Sequence, residues 1–571
     1  MRRGVALFLL LAAAGCQPSS PAAQPTATPA PTPAVPPTLP APYQAEPAGH
    51  EGGVATVGDW QFPVTLPPAY APSPTSAVMI QQALFSGLVG VDPSLGYYGD
   101  LAHSVPTVAN GGVKTVGSGM DVTYDLRPGL RWSDGQPITS DDVIFTWQAT
   151  AGTEGYDRIT GIDKRGDAGF TVHFRSIYPA YALLFGAIVP KHRLAAIERA
   201  QLGSDPYWSK PDVVSGPLTV ADAVPADHYT LQRNPRYADG RADMPLLNHA
   251  AHLEKVVFKA FATKAALLAA LKAGDIQVAL ELDEHDLDLA AAVAGARLQP
   301  VPWLSYEQVT LNQQAQLWKD DAALRSALAA AVDVGSVLAG PLHNRAPAAT
   351  GPISPELGWA YNGDLGAPRF ELEQARSALE ADGWALGADA VRTKAGQRLQ
   401  FTLAAVADSP LAAAEQQILV AGWRQAGADV RVQDFAAGEL FASFADNGVL
   451  ARGRFDAALF AWIAPADPDG AFATLHSSQI PSPQNPAGEN FSRCDSPALD
   501  ADLAAGRATL DRVQRAEAYR DLQAQYRKAA CEVPLYQRLD IGLSSRHLHN
   551  YAPNPAAPGN TWNLADWWID Q

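Results

Sequence analysis

The sequence predicts an α/β protein built in at least two lobes behind an extended leader. Three observations carry that prediction. About 520 residues follow His50, more than one hydrophobic core normally supports. Between Arg398 and Asp434 a strand (Arg398–Val406), a helix (Ala412–Ala426) and a second strand (Asp429–Asp434) alternate, the pattern of a lobe with parallel strands. The stretch from Asp121 to Thr150 reads strand, turn, strand, turn, capped helix, a compact unit of its own.

The leader comes first. Met1-Arg2-Arg3 is basic, Val5 to Ala14 is apolar, and Gly15-Cys16 follows; the apolar run is too short to span a bilayer and fits a secretory signal. Ala13-Ala14-Gly15-Cys16 resembles a bacterial lipobox, with Ala13 where Leu is commonest. Cys16 is the expected lipidation site, with plain signal cleavage as the alternative. From Gln17 to His50 the chain is mostly Pro, Ala, Thr and Ser, with Glu46 its sole formal charge. Such a segment cannot bury enough surface to offset its ordering entropy, and extended polyproline at about 3.1 Å per residue would reach on the order of 100 Å. It is expected to be a disordered tether.

Within Asp121–Thr150, Val122, Tyr124 and Leu126 alternate with Thr123, Asp125 and Arg127, the period of a half-buried strand. Arg127-Pro128-Gly129 supplies a turn, because Pro presets φ and Gly tolerates positive φ. Leu130-Arg131-Trp132 reads as a second extended piece and Ser133-Asp134-Gly135 as a second turn. Thr139 precedes Asp142 by three residues, a capping box that opens a helix with Val143, Ile144 and Trp147 on one face. Further on, Ala269–Val278 reads as a helix stopped at Gly274 before a strand, and Trp303–Asn312 as an extended segment. Asp320–Asp333 and Ala375–Trp384 have the apolar spacing of amphipathic helices.

Several functions are excluded or disfavoured by what is present. A net charge of -17 with no basic stripe argues against nucleic acid. No GxSxG, HExxH, Walker A or strand–GxGxxG–helix motif occurs, so no catalytic residue is assigned and no cofactor or metal is expected. His249 with His252, and His547 with His549, have metal-compatible spacing but no supporting ligands, and are read as surface histidines. Cys494 and Cys531 would travel to an oxidising compartment, which leaves a disulfide or two buried thiols as outcomes; a disulfide would stabilise by roughly 4 kcal/mol.

The residues of the central unit, YDLRPGLRWSDGQPITSDDVIFTW, resemble the signature YTFxLRxGVxFxDGxPLTAxDVxFS of the extracytoplasmic solute-binding proteins of family 5, the dipeptide- and oligopeptide-binding components of ABC importers. Other segments are similar in the same order: Ala83–Val89, Ile188–His192, Ser215–Leu218, Gln232–Tyr237, Ala269–Val278, Asn490–Ser492 and Glu532–Tyr536. The resemblance implies a two-lobed type II periplasmic-binding-protein fold with an extra peripheral subdomain. The expected boundaries are 1–16 signal peptide with lipobox, 17–50 tether, 51–305 plus 538–571 lobe I with the subdomain at about 88–207, and 306–537 lobe II.

It also implies a non-enzymatic, monomeric receptor that captures peptide by hinge closure and hands it to a permease whose ATPase subunit is separate, outside the cytoplasm and lipid-anchored to the membrane. Oligosaccharides or nickel chelates are alternative ligands, and a secreted hydrolase is the reading from a different class. In relatives, the loop matching Phe455–Phe472 carries an aspartate that pairs with the peptide amine; here that position falls at Pro465 or a gap. Asp467 or Asp469 is expected to substitute, or both cap the following helix. Tyr306, Asn312, Trp462, Asp467 and Asp469 are therefore the ligand-binding candidates, while Trp562, Trp567 and Trp568 are expected in the core.

Overall fold

The computed structural model describes residues 39–63, 66–70, 75–244, 246–247, 250–556 and 560–570. The expected signal segment with Cys16, most of the expected tether, and His249 lie outside them. A ten-stranded sheet forms the spine. Its strands in chain order are β1 (Val54–Asp59), β2 (Leu218–Val224), β3 (His228–Arg233), β4 (Lys255–Ala260), β5 (Val278–Ala279), β6 (Ala296–Leu311), β7 (Gln400–Val406), β8 (Asp429–Phe435), β9 (Ala457–Ile463) and β10 (Glu532–Ser545). Their spatial order is β8-β7-β9-β6-β10-β5-β1-β4-β3-β2.

The long strands β6 and β10 pair antiparallel and carry the chain from one half of the sheet to the other. Their pairing shifts between Pro302–Leu539 and Tyr306–Gln537. Proline lacks the N–H a ladder needs, so two prolines at Pro300 and Pro302 locate that break. On one side lies a core around Val57, Phe258, Val278 and Trp567; on the other, a core around Val309, Leu403, Trp318 and Trp423. In the second core Phe401 meets Trp318 and Trp423 edge-on, each at 5.2 Å between centroids. β7 runs parallel to both β8 and β9, as the alternating strand–helix pattern predicts. The helix between β7 and β8 spans Pro410–Ala426, starts at the Ser409 cap and stops at Gly427, whose φ of 102° needs a residue without Cβ.

A separate four-stranded antiparallel sheet (Val113–Val116, Gly119–Asp125, Ile159–Arg165, Gly169–Phe174) with the helix Ser140–Thr150 builds the peripheral subdomain. Val122, Tyr124 and Leu126 are buried. Thr139 accepts from the Asp141 amide, and the Asp142 carboxylate accepts from the Thr139 amide at 2.9 Å, closing the capping box. Three details differ from the sequence reading. Leu130–Trp132 makes one isolated bridge, Arg131 to Pro137, instead of a strand, because the second turn follows too soon for a ladder to form. The subdomain core is built from Leu88 to Ile188 together with Val213, whereas Leu194, Leu202, Tyr207 and Trp208 pack into the first lobe. The segment expected to be free up to His50 is held at Tyr43, whose hydroxyl donates to Asp566 at 2.7 Å and whose ring meets Trp562 edge-on.

Candidate functional site

The break between Pro302 and Tyr306 places a junction between the lobes, and charged residues from both sides collect there. Arg538 on β10 donates to Glu284 at 3.1 Å and to Glu307 at 2.9 Å. Glu284 precedes the break and Glu307 follows it, so one guanidinium bridges the two sides of the break. Glu415 on the helix Pro410–Ala426 is 1 % exposed, and its Oε1 has no hydrogen-bond partner. Burial, and then the charge of Glu307, push its carboxyl well above the usual range.

On the first-lobe side, β1 and β5 end toward the junction. Ligands in open α/β sheets gather beyond the carboxyl ends of such strands. Beyond β5 stands Glu281, in left-handed backbone at φ 57°, its carbonyl fixed by the Trp60 indole at 2.7 Å. A small cavity of about 30 Å³ is lined by Glu281, Trp303, Asp540 and Asn560, room for one water-sized group. Asn560 donates to Asp540 at 3.0 Å, and Asp59 accepts from the Gln61 amide at 2.8 Å. Burial and then the charge of Asp59 and Asp540 push Glu281 up to about 8. Asp540 is pushed up to about 7 and Asp59 to about 6, both chiefly by burial. Lys264, whose charge reaches Glu281, is occupied by Asp283 and Asp286 at 2.6 Å each. Among the described residues, Asp59, Glu281 and Asp540 make no ion pair within 4.0 Å.

On the second-lobe side, β9 runs antiparallel to β6 and brings Trp462 opposite Tyr306. Trp462 is half-buried, stacked on Phe491 at 5.2 Å. With the Gln308 amide oriented to satisfy both its groups, Trp462 Nε1 donates to Gln308 at 2.9 Å and Gln308 donates to Glu532 at 2.7 Å. Tyr306 itself is 4 % exposed with an unpartnered hydroxyl, a core position next to Glu532. Asn312 sits at the far end of β6 and spends its amide on the carbonyls of Gly453 and Phe455. The five candidates therefore do not form one site: Trp462 and Tyr306 are neighbours, and Asn312 lies a strand's length away.

The two loop aspartates are committed elsewhere. Asp467 caps the short helix Pro468–Gly470 by accepting from the Asp469 amide at 2.9 Å, and it pairs with buried Arg515. Asp469 is gripped by Arg507 through Nε at 2.5 Å and Nη2 at 2.9 Å. A carboxylate already holding a bidentate guanidinium has few lone pairs left for an amine. The sequence reading missed Arg507 and Arg515 because they stand 38 and 48 residues downstream. It also missed Asp59, Glu281, Arg538 and Asp540; the only local signal was the place of Asp59 at the end of β1 and of Glu281 just past β5, while Arg538 and Asp540 lie inside β10.

Cys494 and Cys531 are joined by a disulfide that ties the segment after Asn490 to the start of β10. Trp567 is fully buried in the first lobe, Trp562 packs on Tyr43, and Trp568 stacks on His549 at 3.7 Å. His252 meets Glu51 at 2.5 Å, and His547 and His549 both meet Asp570.

A profile of the bacterial extracellular solute-binding proteins, family 5 middle region, matches residues 96–482. The chain belongs to that family. Family 5 chains are solute-binding proteins that act outside the cytoplasm and make or break no bond in their ligand. Among curated relatives, the oligopeptide-binding protein AppA of Bacillus subtilis is 25% identical over 91% of this chain and 92% of its own. The solved structure of B. subtilis AppA in complex with a nonapeptide superposes with a TM-score of 0.77 at 23% identity, covering 91% of this chain and all of that one. NikZ from Campylobacter jejuni in complex with Ni(L-His) superposes with a TM-score of 0.76 at 22% identity, covering 90% and 99%. These likenesses establish the two-lobed fold with its peripheral subdomain.

Proposed function

We propose that this family 5 member is the peptide-capturing component of an ABC importer. Its lobes, 51–305 with 538–571 and 306–537, close on ligand about the β6–β10 crossing and present the closed form to a permease driven by a separate ATPase subunit. The chain acts as a monomer, secreted by its first sixteen residues and lipid-anchored through Cys16, with the Pro-rich segment as tether. The observation that carries this reading is Arg538, whose pairing with Glu284 and Glu307 makes one side chain a joint between lobes at the point where the ladder breaks.

The ligand is read from the junction. Asp59, Glu281 and Asp540 favour a ligand that brings positive charge, such as a peptide with a basic side chain or free amine held against this cluster instead of by Asp467 or Asp469. Because both loop aspartates are held by arginines, a non-peptide ligand is the second reading, with an oligosaccharide or a nickel–histidine complex as its test compounds.

A thermal-shift screen of the purified chain with short basic, neutral and acidic peptides, oligosaccharides and nickel–histidine tests both readings. Ligand at one hundred times its Kd stabilises by about 2.7 kcal/mol, a measurable rise in midpoint. A rise with basic peptides supports the first reading. A rise only with a sugar or the nickel complex replaces it with the second.

A further inference from the structure

At the end of β9 opposite Trp462, outside the junction, an open cavity of about 500 Å³ is lined by Arg452, Arg454 and Arg493 together with Gln314, Gln316 and Asp456. The lining is mostly polar. β9 separates this cavity from Trp462 by about 20 Å, six residues at about 3.3 Å each.

Arg493 is the unusual member. Among the described residues six arginines are almost fully buried: Arg127, Arg241, Arg392, Arg493, Arg507 and Arg515. Five have a carboxylate within 4.0 Å: Asp243, Asp100, Glu380, Asp469 and Asp467 respectively. Arg493, 5 % exposed, has none; it donates only to the backbone carbonyls of Leu450, Ala451 and Phe491. Desolvation without an anion lowers its guanidinium to about 10. Those carbonyls hold the guanidinium in place but supply no net charge to balance it.

The neighbours strengthen the imbalance. Arg452 and Arg454 are exposed and spend hydrogen bonds on the carbonyls of Phe444 and Asn447, and among the described residues neither has an ion pair. Asp456, the one carboxylate lining the cavity, has its Oδ2 committed to the amide and hydroxyl of Thr402 at 2.8 Å each. Gly453 lies against the Arg493 guanidinium, where a Cβ would come within 2.6 Å of Cζ, so the position must stay bare for the guanidinium to lie there. In a chain of net charge -17, three guanidiniums on one cavity without a carboxylate partner are not a by-product of composition.

We infer that this cavity is a second ligand site, for a small molecule carrying clustered oxyanions, a phosphate or a polycarboxylate, held by Arg452, Arg454 and Arg493. Guanidinium groups match both chemistries through paired N–H donors. The site is independent of the ligand cleft and does not rest on the peptide reading.

Titration calorimetry of the purified chain with citrate and with inorganic phosphate, at constant ionic strength set by sodium chloride, tests it. The expected result is saturable one-to-one binding of at least one of the two. That binding weakens tenfold or more, about 1.4 kcal/mol, in Arg452→Ala/Arg454→Ala and in Gln316→Glu, which brings negative charge to the mouth without touching a buried group. Binding of citrate alone assigns the site to polycarboxylates, and of phosphate alone to phosphates. Absence of saturable heat with either anion up to about 10 mM, a Kd too weak for a built site, overturns the proposal. Undiminished binding in both folded variants overturns it as well.

Discussion

Arg507 Nη2 reaches Glu154 Oε1 at 2.8 Å, which joins the second lobe to the peripheral subdomain. The same guanidinium holds Asp469 in a bidentate pair inside the core. The two halves of this arrangement differ in burial, and so in what their loss costs.

Asp469→Asn leaves a buried guanidinium without its carboxylate and is expected to lower stability by about 3–5 kcal/mol. Glu154→Gln removes a partly exposed partner and is expected to cost less than about 1 kcal/mol. Urea denaturation measures both. Because Asp469 is spent on Arg507, the ratio of affinities for free and N-acetylated forms of one peptide should not change in Asp469→Asn; a ratio falling toward unity would make this aspartate an amine ligand after all.

Glu281 and Asp540, pushed up to about 8 and about 7 by burial, set a pH dependence for binding. A cationic ligand binds the ionised carboxylates, so affinity for a basic peptide should rise between about pH 6 and 8.5 and level off above, with protons released on binding below about pH 8. Calorimetry in buffers of different ionisation enthalpy reads that release. Glu281→Gln with Asp540→Asn should weaken binding by roughly tenfold at pH 8.5, where one shifted unit corresponds to tenfold, and should flatten the profile.

Glu532 is buried at the start of β10 and its carboxyl is pushed up to about 8 by burial, against hydrogen bonds from Tyr526 and Gln308. In the unfolded chain a glutamate titrates near about 4.3. Between those values the folded state binds the extra proton, so this contribution to stability is full below about pH 4.3 and is lost as pH rises to about 8. Glu532→Gln keeps an acceptor and removes the titration, and should gain on the order of 1–3 kcal/mol relative to the parent at pH 8 compared with pH 5. Denaturation midpoints at the two pH values check it.

The disulfide between Cys494 and Cys531 closes a loop of sequence separation 37. On the chain-entropy account the double replacement Cys494→Ser/Cys531→Ser should cost about 4 kcal/mol. A reductant should bring the parent's urea midpoint toward that of the double variant and leave the variant unmoved.

What was legible in the sequence was local. The capping box of Thr139 and Asp142, the helix stop at Gly274, and the alternation of Val122, Tyr124 and Leu126 each involve residues within a few positions of one another. Dihedral preference and side-chain period decide such features before any tertiary contact forms. The strand–helix–strand order of 400–435 likewise fixed parallel pairing, since a crossover of that length leaves little else.

The sequence by itself determined most of the elements, the two-lobed α/β class and the family. Tertiary structure decided which polar groups were left over for a ligand. Asp467 and Asp469 look available until Arg515 and Arg507 arrive from later helices and neutralise them. Asp59, Glu281 and Asp540 look unremarkable until the ends of β1 and β5 meet the middle of β10 near its break with β6. Arg493 looks like any surface arginine until burial removes its water without supplying an anion. The physical reason is common to all three: a charge's role is set by what desolvates and pairs it, and those partners are brought together only by the folded chain.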